Sequence, residues 1–140
     1  MNYILALFIF AFAPLAATVS DTDPQQSQHV EIDIDTLVSW YEQNKPMIIL
    51  DARSEPYFDG TVLPNAKWLP CESDETDIEA TVPCKDGCIV VYCHGTDCPA
   101  SGWLCDKLLA MCYSCIYEYH EGIEEWTESE LPTDEWPYNP

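Results

Sequence analysis

Two stretches of the chain, Met47-Ile48-Ile49-Leu50 and Ile89-Val90-Val91-Tyr92, are unbroken apolar runs, ending in Asp51 and Cys93 respectively. Neither alternates polar with apolar as a half-solvated strand does, so each suits a strand covered on both faces, as in a parallel sheet packed between helices. Helical spacing surrounds them. Leu37, Trp40 and Tyr41 fall at i, i+3, i+4 before the first run, with Asp33 or Asp35 available as the cap and Pro46 as the stop. Ala100, Leu104, Leu108 and Met111 mark one helical face after the second run, and Ile123 with Trp126 mark another. Short strands are predicted at residues 30–34, 66–69 and 115–119, and the acidic stretch from Glu72 to Glu79 as a solvated loop or helix edge. Strands alternating with helices imply an α/β fold with right-handed crossovers.

The chain has room for one such domain. Its 140 residues begin with a charge-free apolar segment, too short to span a bilayer, that closes on Pro14-Leu15-Ala16-Ala17. This reads as a secretory signal peptide over residues 1–17, followed by a polar, flexible leader over 18–28, a folded domain over 29–132 and a Pro-rich tail over 133–140. The expected location is therefore secreted or periplasmic. With 5 basic and 25 acidic residues the net charge is −20, which argues against nucleic acid and, once the signal is cleaved, against an anionic membrane. A basic partner protein is compatible with that charge.

Cys93 stands where a buried strand turns into the loop His94-Gly95-Thr96-Asp97-Cys98-Pro99 before the next helix. In parallel sheets this carboxyl rim is where functional groups collect. Free backbone N–H groups and the helix dipole would favour a thiolate there, which predicts a nucleophilic sulfur with a lowered pKa.

Several motifs, in order along the chain, now resemble the rhodanese-like domains. Asp51-Ala52-Arg53, Glu55-Pro56-Tyr57, Gly60 and Leu63-Pro64-Asn65-Ala66 are similar to the family's D-x-R, E-x-Y and G-x-I-P-G-A block. Ile89 to Cys93 resembles its active-site strand, and His120-Glu121-Gly122-Ile123-Glu124-Glu125-Trp126 its E-G-G-I-x-x-W close. The resemblance implies a five-stranded, mostly parallel sheet flanked by helices. It also implies a loop cysteine, here Cys93, that carries sulfane sulfur as a persulfide between a small sulfur donor and a thiol or other thiophilic acceptor. No cofactor or metal is implied.

The loop departs from the family pattern, which carries arginine. Cys98 stands five residues after Cys93, and neither Lys nor Arg occurs between Cys93 and Asp106, so an anionic donor such as thiosulfate lacks a charged clamp. Cys98 also opens a second reading, a thiol–disulfide redox protein in which it resolves Cys93. A non-catalytic interaction module is a third. His94 is a candidate hydrogen-bond donor or base. In the family's sheet order Asp51 and Arg53 share the rim with the loop, where an ion pair bracing the turn is the preferred reading.

The family's order also places Cys84, Cys88, Cys112 and Cys115 at the opposite, amino-terminal end of the sheet. Two structural disulfides are expected among them in an oxidising compartment, Cys88–Cys115 first, with a four-thiolate zinc site as the rival. Cys71 and Cys105 have no assigned role. Glu124, Glu125, Glu128 and Glu130 lack the spacing of a calcium loop and read as a solvated helix face.

Overall fold

The computed structural model describes residues 29–137, so the signal-peptide and leader assignments lie outside the described residues. A five-stranded sheet runs in the order β1-β6-β5-β2-β4, comprising β1 (Val30–Glu31), β2 (Ile48–Asp51), β4 (Lys67–Trp68), β5 (Ile89–Tyr92) and β6 (Ile116–Tyr119). Every pairing within it is parallel. The connections carry α1 (Ile34–Glu42), α2 (Glu75–Thr81), α3 (Ala100–Ala110) and α4 (Gly122–Glu128).

The apolar runs behave as their continuity requires. Ile49, Val90, Tyr92 and Tyr119 join Leu37 and Trp126 in one core layer, while Leu50, Ile89, Val91 and Ile116 join Ile78, Leu104 and Leu108 in the other. Successive residues of each strand thus enter opposite layers, which is why neither run has a polar side. Asp33 is the cap of α1, its carboxylate accepting from the Thr36 amide at 2.9 Å. Asp74 caps α2 in the same way by accepting from the Asp77 amide at 2.9 Å, so the acidic stretch is in part a short helix with Ile78 in the core.

Two features differ from the sequence reading. The predicted strands at 30–34 and 66–69 shrink to Val30–Glu31 and Lys67–Trp68 at the two edges of the sheet, with Ile34 already in α1. The Pro-rich segment after residue 132 is not a bare tail, because β7 (Asp134–Glu135) pairs antiparallel with β3 (Thr61–Val62) and Trp136 packs against the core. The left-handed turn before β4 uses Asn65, at φ 59°, where the family pattern has glycine.

Candidate active site

Cys93 leaves β5 at the carboxyl rim, and its position is fixed from outside by α4. The Ile123 amide donates to the Cys93 carbonyl at 3.0 Å and the Glu124 amide to the His94 carbonyl at 2.9 Å. Gly122 makes this approach possible. Its φ is +66°, and a Cβ there would stand 2.5 Å from the Cys93 carbonyl oxygen. Gly95 is likewise hemmed in, since a Cβ on it would lie 2.5 Å from a Glu124 carboxylate oxygen.

The Cys93 sulfur continues the alternation of Ile89 and Val91, so it points beneath α3 and is fully buried. Its near neighbours are the Cys98 carbonyl oxygen at 3.1 Å, the Ser101 hydroxyl at 3.2 Å and the Gly95 carbonyl at 3.9 Å. Two carbonyl oxygens face it, with the Ser101 amide in the first turn of α3 as an opposing donor, while Pro99, on which α3 opens, has no N–H to offer. Burial is the largest influence and pushes the thiol up to about 11; the Ser101 hydrogen bond opposes this and the adjoining Cys98 adds to it. The expectation of a lowered Cys93 pKa is corrected accordingly: the strand register turns the sulfur inward, where loss of solvent outweighs the Ser101 hydroxyl and amide that favour the thiolate.

Cys98 occupies the outward position. It is half-buried and lines a cavity of about 660 Å³ with Arg53, Tyr57, His94, Trp103 and Glu124. Tyr57 and Trp103 are 74% and 59% exposed and form aromatic walls, while Asp97 and Glu124 make the lining acidic. His94 is exposed on this wall, and Thr96 is exposed beside it.

Asp51 and Arg53 form the expected brace. Arg53 is 2% exposed, and its Nη2 donates to Asp51 Oδ2 at 2.7 Å and to the Thr61 carbonyl at 2.5 Å. Its own carbonyl accepts from the Trp68 indole at 2.8 Å, so the pair ties β2, β3 and β4 together below the cavity.

At the other end of the sheet, Cys84, Cys88, Cys112 and Cys115 occupy the turns before β5 and β6, as expected. The Ile89 amide donates to the Cys115 carbonyl at 2.9 Å, and Cys88 and Cys115 adjoin; burial raises the Cys88 thiol and the neighbouring Cys115 adds to this. All eight cysteines are free thiols, so the expected disulfides are not formed in this structure. The zinc rival gains no support: among the described residues, the cluster of metal-binding type is His29, Cys105 and Glu118, with ligand atoms within 4.8 Å of one another. Both carboxylate oxygens of Glu118 there already have partners, Ser101 and His29. Cys105 is thereby placed on the buried face of α3, and Cys71 is buried near Ser54, its carbonyl accepting from Lys107 at 2.8 Å.

The sequence reading missed Ser101, Glu118, His29 and the aromatic walls Tyr57 and Trp103. Glu118 carried a usable signal, because period-2 alternation from Ile116 puts it on the α3 face, where an acid is out of place.

A family model for the rhodanese-like domain matches residues 33–129. The chain belongs to the rhodanese-like domain family. Among solved structures, this rhodanese-like domain is similar to the BH2092 protein from Bacillus halodurans, with 21% identity over 76% of this chain and 77% of that one and a TM-score of 0.67. The rhodanese-like domain of an Anabaena protein gives 22% identity over 81% of this chain and 88% of that one, with a TM-score of 0.60. A thiosulfate sulfurtransferase from Pseudomonas aeruginosa gives 15% identity over 76% of this chain but only 20% of that chain, with a TM-score of 0.62. At these identities the likeness is one of fold. No curated protein matches the sequence.

Proposed function

We propose that this rhodanese-like domain is a sulfurtransferase or persulfide carrier that passes sulfane sulfur through Cys98 and Cys93. The observation that carries this reading is the stacking of two cysteines on one loop, Cys98 in the cavity wall and Cys93 directly beneath it on the strand rim. Cys98 thiolate attacks the outer sulfur of a donor R–S–SH, forming Cys98–S–SH and releasing R–S⁻. Cys93, once deprotonated, takes that outer sulfur in turn, and Cys98 leaves as thiolate. An acceptor thiol or cyanide then removes the sulfur, returning the starting thiols.

Aromatic walls and acidic Asp97 and Glu124 suit an organic or neutral persulfide better than an anionic donor such as thiosulfate. Proximity of the two thiols also favours the redox reading, in which Cys93 attacks the inner sulfur, expels HS⁻ and leaves a Cys93–Cys98 disulfide. Secretion or periplasmic residence after loss of residues 1–17 belongs to this proposal, as does a small-molecule donor with no nucleic-acid or membrane partner.

The test is turnover of a cysteamine persulfide donor, which carries no net negative charge, with cyanide as acceptor. Thiocyanate formation that falls by at least a hundredfold in Cys98→Ser and in Cys93→Ser supports transfer. Formation of a Cys93–Cys98 bond with release of sulfide and no thiocyanate supports the redox protein, and neither outcome leaves an interaction module.

A further inference from the structure

Four polar or charged side chains are buried among the described residues: Asp51, Arg53, Ser101 and Glu118. The first two neutralise each other in the brace. The other two lie under Cys93, where an apolar pair would ordinarily be the more stable choice.

Their hydrogen bonds run in one direction. Ser101 Oγ donates to Glu118 Oε1 at 2.6 Å, which commits the single hydroxyl proton. With the Ser101 proton so placed, the thiol has two acceptors, Ser101 Oγ at 3.2 Å and the Cys98 carbonyl at 3.1 Å, and the first of these opens the path to Glu118. On the far side His29 Nε2 lies 2.7 Å from Glu118 Oε2, and His29 is 22% exposed. The chain therefore runs from buried sulfur through hydroxyl and carboxylate to an imidazole that reaches solvent.

We propose that Ser101, Glu118 and His29 form a proton relay that deprotonates Cys93 for attack. The Cys93 proton moves to Ser101 Oγ as the Ser101 proton moves to Glu118, leaving a thiolate and a neutral carboxylic acid. No net charge enters the core in that step. The proton leaves through His29 to water, which restores Glu118 as the carboxylate. Such a base supplies what the loop lacks, since burial outweighs the Ser101 amide at the sulfur and the loop carries no Lys or Arg. Ser101 touches the reacting sulfur; Glu118 and His29 act through it and are positioning residues.

The groups facing Glu118 come from three elements. They are His29 before β1, His120 after β6 with Nδ1 3.5 Å from Glu118 Oε1, and Cys105 of α3, which Asp106 adjoins. Of these, His29 has the short contact, 2.7 Å against 3.5 Å for His120, while both imidazoles reach solvent, with 22% and 40% of the side chain exposed.

The inference rests on Cys93 being a nucleophile, as in the proposed function, so its test reads Cys93 reactivity separately from sulfur transfer. In a Cys98→Ser background, the rate of Cys93 modification by methyl methanethiosulfonate is followed against pH by peptide mass spectrometry. Glu118→Gln and Ser101→Ala are expected to slow it about 100-fold at neutral pH. Glu118→Gln also abolishes the acidic limb of the profile, leaving a rate that climbs tenfold per pH unit. His29→Gln, which keeps an N–H donor but cannot titrate, shifts that limb.

Unchanged rates and an unchanged profile in folded Glu118→Gln overturn the relay. If that variant does not fold, the serine pair decides: Ser101→Thr keeps the hydroxyl and restores the rate that Ser101→Ala loses, and equal rates in the two overturn the relay. A relay intact by this measure with no thiocyanate turnover removes the proposed function alone. Turnover with an unaltered Glu118→Gln profile removes the relay alone.

Discussion

Gly122 lies directly against the Cys93 carbonyl, with a φ of +66° and room for no Cβ, since one would come within 2.5 Å of that oxygen. The contact lets the Ile123 amide hold the Cys93 carbonyl at 3.0 Å, so α4 fixes the start of the active loop. Gly122→Ala must adopt a left-handed conformation and displace Cys93, which is expected to cost about 2 kcal/mol or more. Urea unfolding measures the loss, and a variant as stable as the parent would show that the loop and α4 can separate freely.

The brace between Asp51 and Arg53 is buried on both sides, at 0% and 2% exposure. Removing one member leaves the other charge unpaired in the core, so Arg53→Met is expected to destabilise the fold by roughly 3 to 5 kcal/mol. Asp51→Asn should behave likewise. Denaturant midpoints check both, and the Arg53 change should also loosen the cavity wall, seen as faster alkylation of Cys98.

Burial raises the Cys93 pKa from 9.0 to about 11. For a raised acid the native state holds its proton longer than the unfolded chain, so the stabilising contribution is complete below about pH 9 and is lost as pH rises towards 11. The loss amounts to about 3 kcal/mol. Cys105 shifts in the same direction for the same reason, so alkaline weakening persists in part without Cys93. Cys93→Ser is therefore expected to be less sensitive than the parent to that pH change. Urea midpoints at the two ends of the window decide it, and identical sensitivity would contradict a buried, protonated Cys93.

Cys88 and Cys115 precede residues paired directly across β5 and β6, Ile89 with Ile116. Mild oxidation is expected to join them first. The bond closes a loop long enough to add roughly 3 to 4 kcal/mol of stability if unstrained. Peptide mapping without reductant identifies the bond, and pairing within Cys84–Cys88 or Cys112–Cys115 instead would count against it.

The buried strands, α1, α3 and α4 were legible because residues such as Val90, Leu104 and Trp126 repeat at periods set by local geometry alone. The pairing of Asp134 and Glu135 with β3 was not, since two polar residues carry no periodic signal and their strand exists only through a partner distant in sequence. The Asp51–Arg53 brace followed from residue type and rim position. The orientation of Cys93 was available from the alternation Ile89, Val91, Cys93, yet inward placement becomes meaningful only once α3 is known to cover that face. Glu118 is a parallel case: alternation from Ile116 put it on the face of Ile116, but an isolated acid in a strand reads as solvent-facing until the sheet order and α3 are known to bury it. His29 joins the site solely because β1 pairs with β6.

Peptide mass mapping of the loop in Cys98→Ser and Cys93→Ser after brief exposure to cysteamine persulfide bears most directly on the division of labour between the two loop sulfurs, apart from the exposed thiols Cys84 and Cys112. The cavity geometry predicts that Cys93→Ser still gains one sulfur atom, held on Cys98, and that Cys98→Ser gains none on the same timescale. Rapid loading of Cys98→Ser together with no loading of Cys93→Ser would contradict it.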